Sequence, residues 1–301
     1  MHLTYSCFTA ILEYLTFSKR KQLNLACPSI RKYEKNYPYH FESVLIRGSG
    51  TGSTTIVLDS LRTYFVKIDK IVECFYSFPE ESQKFRVPIP NYSEVEAAEK
   101  YALYNLSRSR TIIKNMKFER SPTCILKCAP LTVQNLKMWF CPVTAPDEYT
   151  TWVPTAAPVQ SLETSDALRD VTIANAQTVI VRFDGPITIH TEIISEWNCL
   201  HLRIEKDLGL EGVLDYCKRV LKHIRPIGSV FSSLITSRNL ELIDLDWLAM
   251  KLGGRKTWWN GRKCATIAID QDTEMNLHGN LDERSEELII EVNTRVTATT
   301  R

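Results

Sequence analysis

The chain lacks most of the features that would assign a chemistry at sight. No apolar run approaches the roughly 18–20 residues that a membrane span needs. There is no basic excess: Lys plus Arg is 37, Asp plus Glu is 35 and the formal net charge is +2. A dedicated nucleic-acid binder usually carries such an excess, so nucleic acid is not an expected partner. The nine cysteines are an odd number without framework spacing. The opening stretch MHLTYSCFTAILEYL has no basic n-region, and Glu13 interrupts it, so no secretory signal is expected. Reduced thiols in the cytoplasm or nucleus follow from these two readings.

Catalytic signatures are equally scarce. No Gly-x-Ser-x-Gly elbow, His-Glu-x-x-His pair, kinase loop or dinucleotide fingerprint is present. Gly48-Ser-Gly-Thr-Gly-Ser53 has the glycines of a phosphate loop. It lacks the lysine that meets the phosphates, and β-branched residues follow it instead of a helix. Cys124 and Cys128 have no second close pair of ligands, so no metal site is expected. His190 and His201 flank Glu192 and Glu196, and would need to converge with a nucleophile to do acid–base work. No catalytic residue and no cofactor is therefore assigned, and a non-enzymatic protein is the expectation.

What is present is an architecture. At 301 residues the chain can bury a large core, and two domains are a fair expectation. Residues 1–40 read as a short helical segment. Tyr5, Phe8, Ile11, Leu12 and Leu15 form one helical stripe, Ser18 is a candidate cap for a second helix through Ala26, and Pro28 suits the first turn of a third. From Phe41 the period changes to two. Residues 41–141 read as a mixed α+β region: strands at 41–47, 54–58, 63–72, 110–118 and 131–140, with 74–78 extending the sheet, a loop over 79–92, and a helix from Ser93 to Leu106 with Val95, Ala98, Ala102 and Leu106 on one face. Residues 142–158 hold four prolines and read as a linker.

Residues 159–301 read as an α/β domain of short strand–helix units. Its clearest piece is the helix from Leu210, whose Val213, Leu214, Cys217, Val220, Leu221 and Ile224 share one face. Arg225-Pro226 should end it, with a strand at 227–231 behind. A helix at 240–252 closed by Gly253-Gly254, a hairpin turning on Asn260-Gly261, and strands at 263–270 and 288–296 complete the domain. The spacing of the units suits either a parallel α/β sheet or a curved leucine-rich-like ladder. Trp258 and Trp259 beside Arg262 are candidate partner-binding residues, because aromatic and arginine side chains concentrate binding energy.

Three stretches carry a resemblance. They are Leu3 to Leu15 followed by Cys27 to Lys35, Trp152-Val-Pro-Thr-Ala-Ala-Pro158, and Leu214-Asp-Tyr-Cys-Lys-Arg-Val-Leu-Lys-His leading into Pro226-Ile-Gly-Ser-Val-Phe-Ser232. In this order they resemble a nematode-expanded, uncharacterised family of F-box-like and F-box-associated proteins. An F-box docks its apolar helical face on the Skp adaptor of a cullin-type ubiquitin ligase. The resemblance implies adaptor contacts by Leu3, Phe8, Ile11, Leu12 and Leu15, with an unidentified protein target held elsewhere. The chain departs from the F-box pattern at Thr4, where proline is usual. On the residues alone, a helix that packs on its own sheet remains open, as does an interaction or scaffold protein with no ubiquitin role.

Overall fold

A computed structural model describes residues 5–34, 37–48, 53–68, 71–77, 84–108, 110–119, 128, 131–139, 158–165, 176–182, 191–223, 225–234, 245–259, 261–282 and 285–295. The fold is mixed α/β, and the chain divides into two compact units, residues 1–159 and 160–301.

The first unit starts with helices α1 (Tyr5–Tyr14), α2 (Phe17–Ala26) and α3 (Arg31–Glu34), the last entered through a 3-10 turn at Pro28–Ile30. Thr16, not Ser18, caps α2: its hydroxyl accepts the Lys19 amide. The reason is Phe17, whose burial against Tyr39 and Phe41 starts the helix two residues earlier. Strands β1 (His40–Gly48), β2 (Ser53–Leu58), β3 (Leu61–Ile68), β4 (Ile71–Ser77) and β5 (Lys84–Ile89) form an antiparallel meander. On the other side of β1, strands β6 (Ile112–Glu119) and β7 (Thr132–Trp139) run parallel to it. Helix α4 (Glu94–Leu106) connects the two halves and packs on β2, β3 and β4. Ser93 and Glu96 cap it reciprocally, each binding the other's backbone amide.

Three expectations change in this unit. The single strand expected over 63–72 is a hairpin, β3 pairing with β4 around residues 69–70. The expected loop over 79–92 contains β5, whose Pro88 is tolerated because β5 is an edge strand with one side unpaired. Val95 is exposed, and the buried face of α4 is Ala97, Ala98, Ala102, Asn105 and Leu106.

The second unit has parallel strands β8 (Ser161–Thr164), β9 (Thr178–Val181), β10 (His201–Ile204) and β11 (Val230–Leu234), adjacent in chain order. Helices α5 (Thr191–Ser195) and α6 (Gly209–Val220) lie in the last two connections. Helix α7 (Leu245–Lys251) then precedes β12 (Arg255–Trp259), β13 (Arg262–Ala268), β14 (Thr273–Asp282) and β15 (Ser285–Thr294), a meander joined to β11 by an antiparallel pairing with β15. Gly261, at φ +78°, supplies the positive φ that the expected Asn-Gly hairpin needs.

Helix α6 ends at Val220, short of the expected Arg225, and β11 starts three residues later than expected. A turn intervenes: Ser229 N–H donates to the Pro226 carbonyl, and Gly228 takes φ +85°. The packing is as expected, with Tyr216 of α6 stacked on Phe231 of β11 at 4.1 Å between ring centroids. Strand β14 is the element the sequence hides. Its Glu, Asn, His, Gly and Asp residues are poor strand formers, yet Met275 and Leu277 alternate with them and are buried, and it pairs with β15 along its length.

Six strands, counted with the residues that lead into them, share one spacing of buried residues, at i, i+3 and i+5. In the first unit these are Phe41, Val44 and Ile46, then Ile113, Met116 and Phe118, then Val133, Leu136 and Met138. At the parallel strands of the second unit the first of the three precedes the strand: Val159, the last residue of the first unit, with Leu162 and Thr164, then Ala176 with Val179 and Val181, then Cys199 with Leu202 and Ile204. Between the first two buried positions, β6 and β7 carry Asn115 and Asn135, linked side chain to side chain at 3.1 Å; Asn115 also donates to the Glu42 carbonyl of β1.

Candidate recognition surfaces

Helix α1 faces two ways. Leu12 is fully buried and Leu15 half-buried, while Ile11 is 43% exposed and Tyr14 90% exposed. Of the other expected adaptor contacts, Leu3 lies outside the described residues, and Phe8 belongs to α1 with its side chain outside the description. Leu25 at the end of α2 and Tyr33 in α3 are exposed as well. Among the described side chains, Leu12 and Phe17 are the apolar anchors of the helical segment, and Ile11, Tyr14, Leu25 and Tyr33 stand exposed.

A buried charge cluster fixes this segment to the rest of the first unit. Glu34 of α3 has no exposed surface and meets Arg108, just beyond α4, through two bonds of 3.0 Å. Tyr39 donates its hydroxyl to the same carboxylate. Arg108 also donates to the Glu34 and Tyr37 carbonyls at 2.9 and 3.3 Å, and lies 4.1 Å over the Tyr39 ring. Every lone pair of a buried carboxylate that lacks a donor is costly, and here both oxygens are engaged. Arg20 and Lys21 of α2 crowd the same ring. Burial lowers the Lys21 ammonium pKa to about 8, against a partial offset from Glu34.

The second unit presents a different surface. Side chains alternate across its sheet, and Leu162, Val179, Leu202 and Phe231 go to the core. The register places Ser161, Glu163, Thr178, Ile180, His201 and Arg203 on the opposite, half-exposed face. Ion pairs run across it from strand to strand. Arg182 meets Glu163 at 3.0 Å and Glu205 at 2.8 Å, and Arg203 meets Glu287 at 2.8 Å. His201 is exposed on β10, and His190 lies outside the described residues.

The tryptophan hairpin continues this face. Trp259 donates its indole N–H to Glu291 at 2.8 Å and is half-buried; Trp258, its chain neighbour, is half-buried on the opposite side, and Arg262 is exposed. Next to Trp259 lies a polar core. Thr257 and Thr266 hydroxyls are 2.5 Å apart, and Thr266 donates to Asn276 at 2.6 Å. His278 Nε2 is 3.6 Å from Glu291 Oε1, beyond hydrogen-bond reach, and neither ring nitrogen has a partner. The nearby His278 ring, with Asn293 and Trp259 donating, holds the Glu291 carboxyl below its ordinary range. Buried Arg225 anchors the other end of the unit, donating to the Tyr216 hydroxyl at 2.8 Å and to the Trp197 carbonyl.

Five of the described thiols are buried and poorly suited to act as nucleophiles. Burial raises the pKa values of Cys128, Cys199, Cys217 and Cys264, and takes Cys74 to about 11, so these sulfurs stay protonated at neutral pH. Cys128 is buried, while Cys124 and Cys141 lie outside the described residues. Among the described residues no group of three or more His, Cys, Asp or Glu side chains could hold a metal ion, and no helix is long and apolar enough to cross a membrane.

Sequence reasoning passed over Glu34, Arg108, Arg225, Asn276 and His278. The first three have no local signal, since a lone charged residue reads as surface. The last two had one, in the polar–apolar alternation of β14. No family model, curated protein or solved structure matches this chain.

Proposed function

We propose that the protein is a non-enzymatic recognition module whose N-terminal helices dock a helical adaptor of the Skp type, making it a substrate receptor of a cullin-type ubiquitin ligase. The observation that carries the reading is the split on α1: Leu12 sits in the core while Ile11 and Tyr14 stand in solvent on a helix tied to its own unit. Exposed aromatic and aliphatic anchors on a rigid support are what a docking helix needs, because little entropy is lost on binding. The half-exposed face of β8–β11 and β15 is the surface for the target. Such a receptor works by holding a target near a conjugating enzyme, so it needs only binding energy.

The shared burial pattern of the parallel strands supports a finer reading, in which each unit contains a short run of leucine-rich-like ladder. The connections in the second unit follow neighbouring parallel strands in chain order. A constant crossover hand then keeps α5 and α6 on one face and leaves the other open.

A second reading is an interaction or scaffold protein without a ubiquitin role. The burial of Leu12 and the Glu34–Arg108 pair favour it, since they account for the helical segment as part of the core. Co-purification with a purified Skp adaptor separates the two. Leu12→Asp would unfold the segment and is uninformative. Ile11→Asp with Tyr14→Asp alters only exposed positions. Wild-type binding lost in this folded double variant supports the adaptor reading, and absence of binding by folded wild type leaves the scaffold reading.

A further inference from the structure

A cleft of about 330 Å3 lies where the end of α1, the start of α2 and the entry to β1 meet. Leu15, Phe17, Pro38 and Tyr39 give it apolar walls, and Arg20 supplies a cation. The volume is at the lower end of the range that holds small organic ligands. Arg20 is the unusual member. It is 5% exposed; its Nη1 donates to the Pro38 carbonyl at 3.0 Å, and its Nε is buried with no partner. A guanidinium has five donors in a fork that matches a carboxylate, and this one uses few of them within the protein.

The surrounding charge is unbalanced in the same sense. Arg20, Lys21 and Arg108 gather around the Tyr39 ring, and Glu34 is the carboxylate they share. Arg108 already engages both oxygens of Glu34. Glu13, the acidic residue of the lining, attracts Arg20 through space but is exposed at the rim, and His40 is exposed beside it; against three cations, Glu13 and Glu34 still leave one positive charge unmatched. A buried cation with spare donors at the side of an apolar cleft calls for a single negative charge carried on an apolar body.

We propose that this cleft is a binding site for a carboxylate borne on an aromatic or aliphatic group, with Arg20 receiving the carboxylate and Leu15, Phe17 and Pro38 receiving the apolar part. The site goes beyond the adaptor-docking reading and stands without it.

The test uses the full chain and four probes in calorimetric titration. These are 3-phenylpropionate, its neutral amide, and an N-acetylated peptide ending in phenylalanine, as the free acid and as the C-terminal amide. The expected result is saturable binding of the acids and binding at least ten-fold weaker for both amides. Arg20→Gln should weaken the acids about ten- to hundred-fold, the range for a lost charge-assisted hydrogen bond. Leu15→Trp, which fills the cleft and keeps Arg20, should abolish binding. Circular dichroism checks each variant, and if Arg20→Gln does not fold, the acid–amide difference and Leu15→Trp decide. A peptide acid that binds more than ten-fold tighter than 3-phenylpropionate assigns the site to a chain terminus; equal or weaker binding assigns it to a free acid. Equal affinity for acids and amides, unchanged binding by folded Arg20→Gln, or no saturable binding by wild type would overturn the proposal.

Discussion

The first unit buries Arg20 and the Arg108 side chain and the second buries Arg225, and Arg108 and Arg225 are satisfied differently. Arg108 in the first unit has a 7% exposed side chain and a carboxylate partner, Glu34, 74 residues away in the chain. Arg225 in the second is 4% exposed, and its partners are neutral: the Tyr216 hydroxyl, the Trp197 carbonyl and the Cys199 sulfur, the last at 3.6 Å. Its Nε has no partner. The Arg108 pair joins elements far apart in sequence, α3 and the end of α4. The Arg225 bonds join near neighbours, α6 with the approach to β10. Burying two charges costs several kcal/mol per ion before their attraction returns it. That cost is justified in the first unit by what it fixes, a helical segment whose large buried apolar side chains, among the described residues, are Leu12 and Phe17. The second unit already has Tyr216 stacked on Phe231 to hold α6, and there neutral acceptors suffice.

The comparison can be broken by substitution. Glu34→Leu leaves Arg108 buried without its carboxylate and should destabilise the protein by about 3–5 kcal/mol. Urea unfolding measures this, with the loss concentrated in the first unit. Arg225→Met removes donors from three neutral acceptors but also removes an unbalanced buried charge. Its expected cost is about 1–3 kcal/mol, read by the same unfolding curves. A cost equal to that of Glu34→Leu would mean that neutral acceptors hold a buried arginine as firmly as a carboxylate does.

The smallest effect sharpens the electrostatics of the first unit. Lys21 has its folded pKa lowered from 10.5 to about 8, mainly by burial. Between those values the unfolded chain binds more protons than the folded one, so stability rises with pH. The penalty is fully present below about pH 8 and is relieved as pH approaches 10.5. Relative to Lys21→Met, the wild type should therefore gain stability across this window. The gain is on the order of 1 kcal/mol, because partial exposure screens the charge. A flat difference between pH 8 and 10.5 would contradict it.

Periodicity carried much of this fold. The α1 and α4 helices, the β1–β2 and β12–β13 hairpins and the helix-on-strand unit of α6 and β11 are all legible as apolar spacing. Elements that break local rules were not. Strand β5 contains a proline, β14 is mostly polar, and the sequence between β3 and β4 lacks the glycine or asparagine that marks a hairpin. The same holds for the candidate surfaces. The stripe of α1 predicted apolar contact but could not say that Leu12 would be buried and Ile11 exposed, because both satisfy one helical period. Arg20, Glu34 and Arg108 read as solvated charges. Only the meeting of α2, α3, α4 and β1 around Tyr39 gives them partners, and that meeting is set by tertiary packing.

The claim that the helical segment is fastened to its unit through charge is tested most directly by a double-mutant cycle. Glu34→Leu, Arg108→Leu and the combined variant are compared with wild type by urea unfolding. The predicted coupling is about 2 kcal/mol or more, with the double variant more stable than the sum of the single losses, because an apolar pair can replace a buried ion pair at little cost. Additive losses, with coupling within about 0.5 kcal/mol, would show that Glu34 and Arg108 do not act as a pair and that the segment is held by its apolar contacts alone.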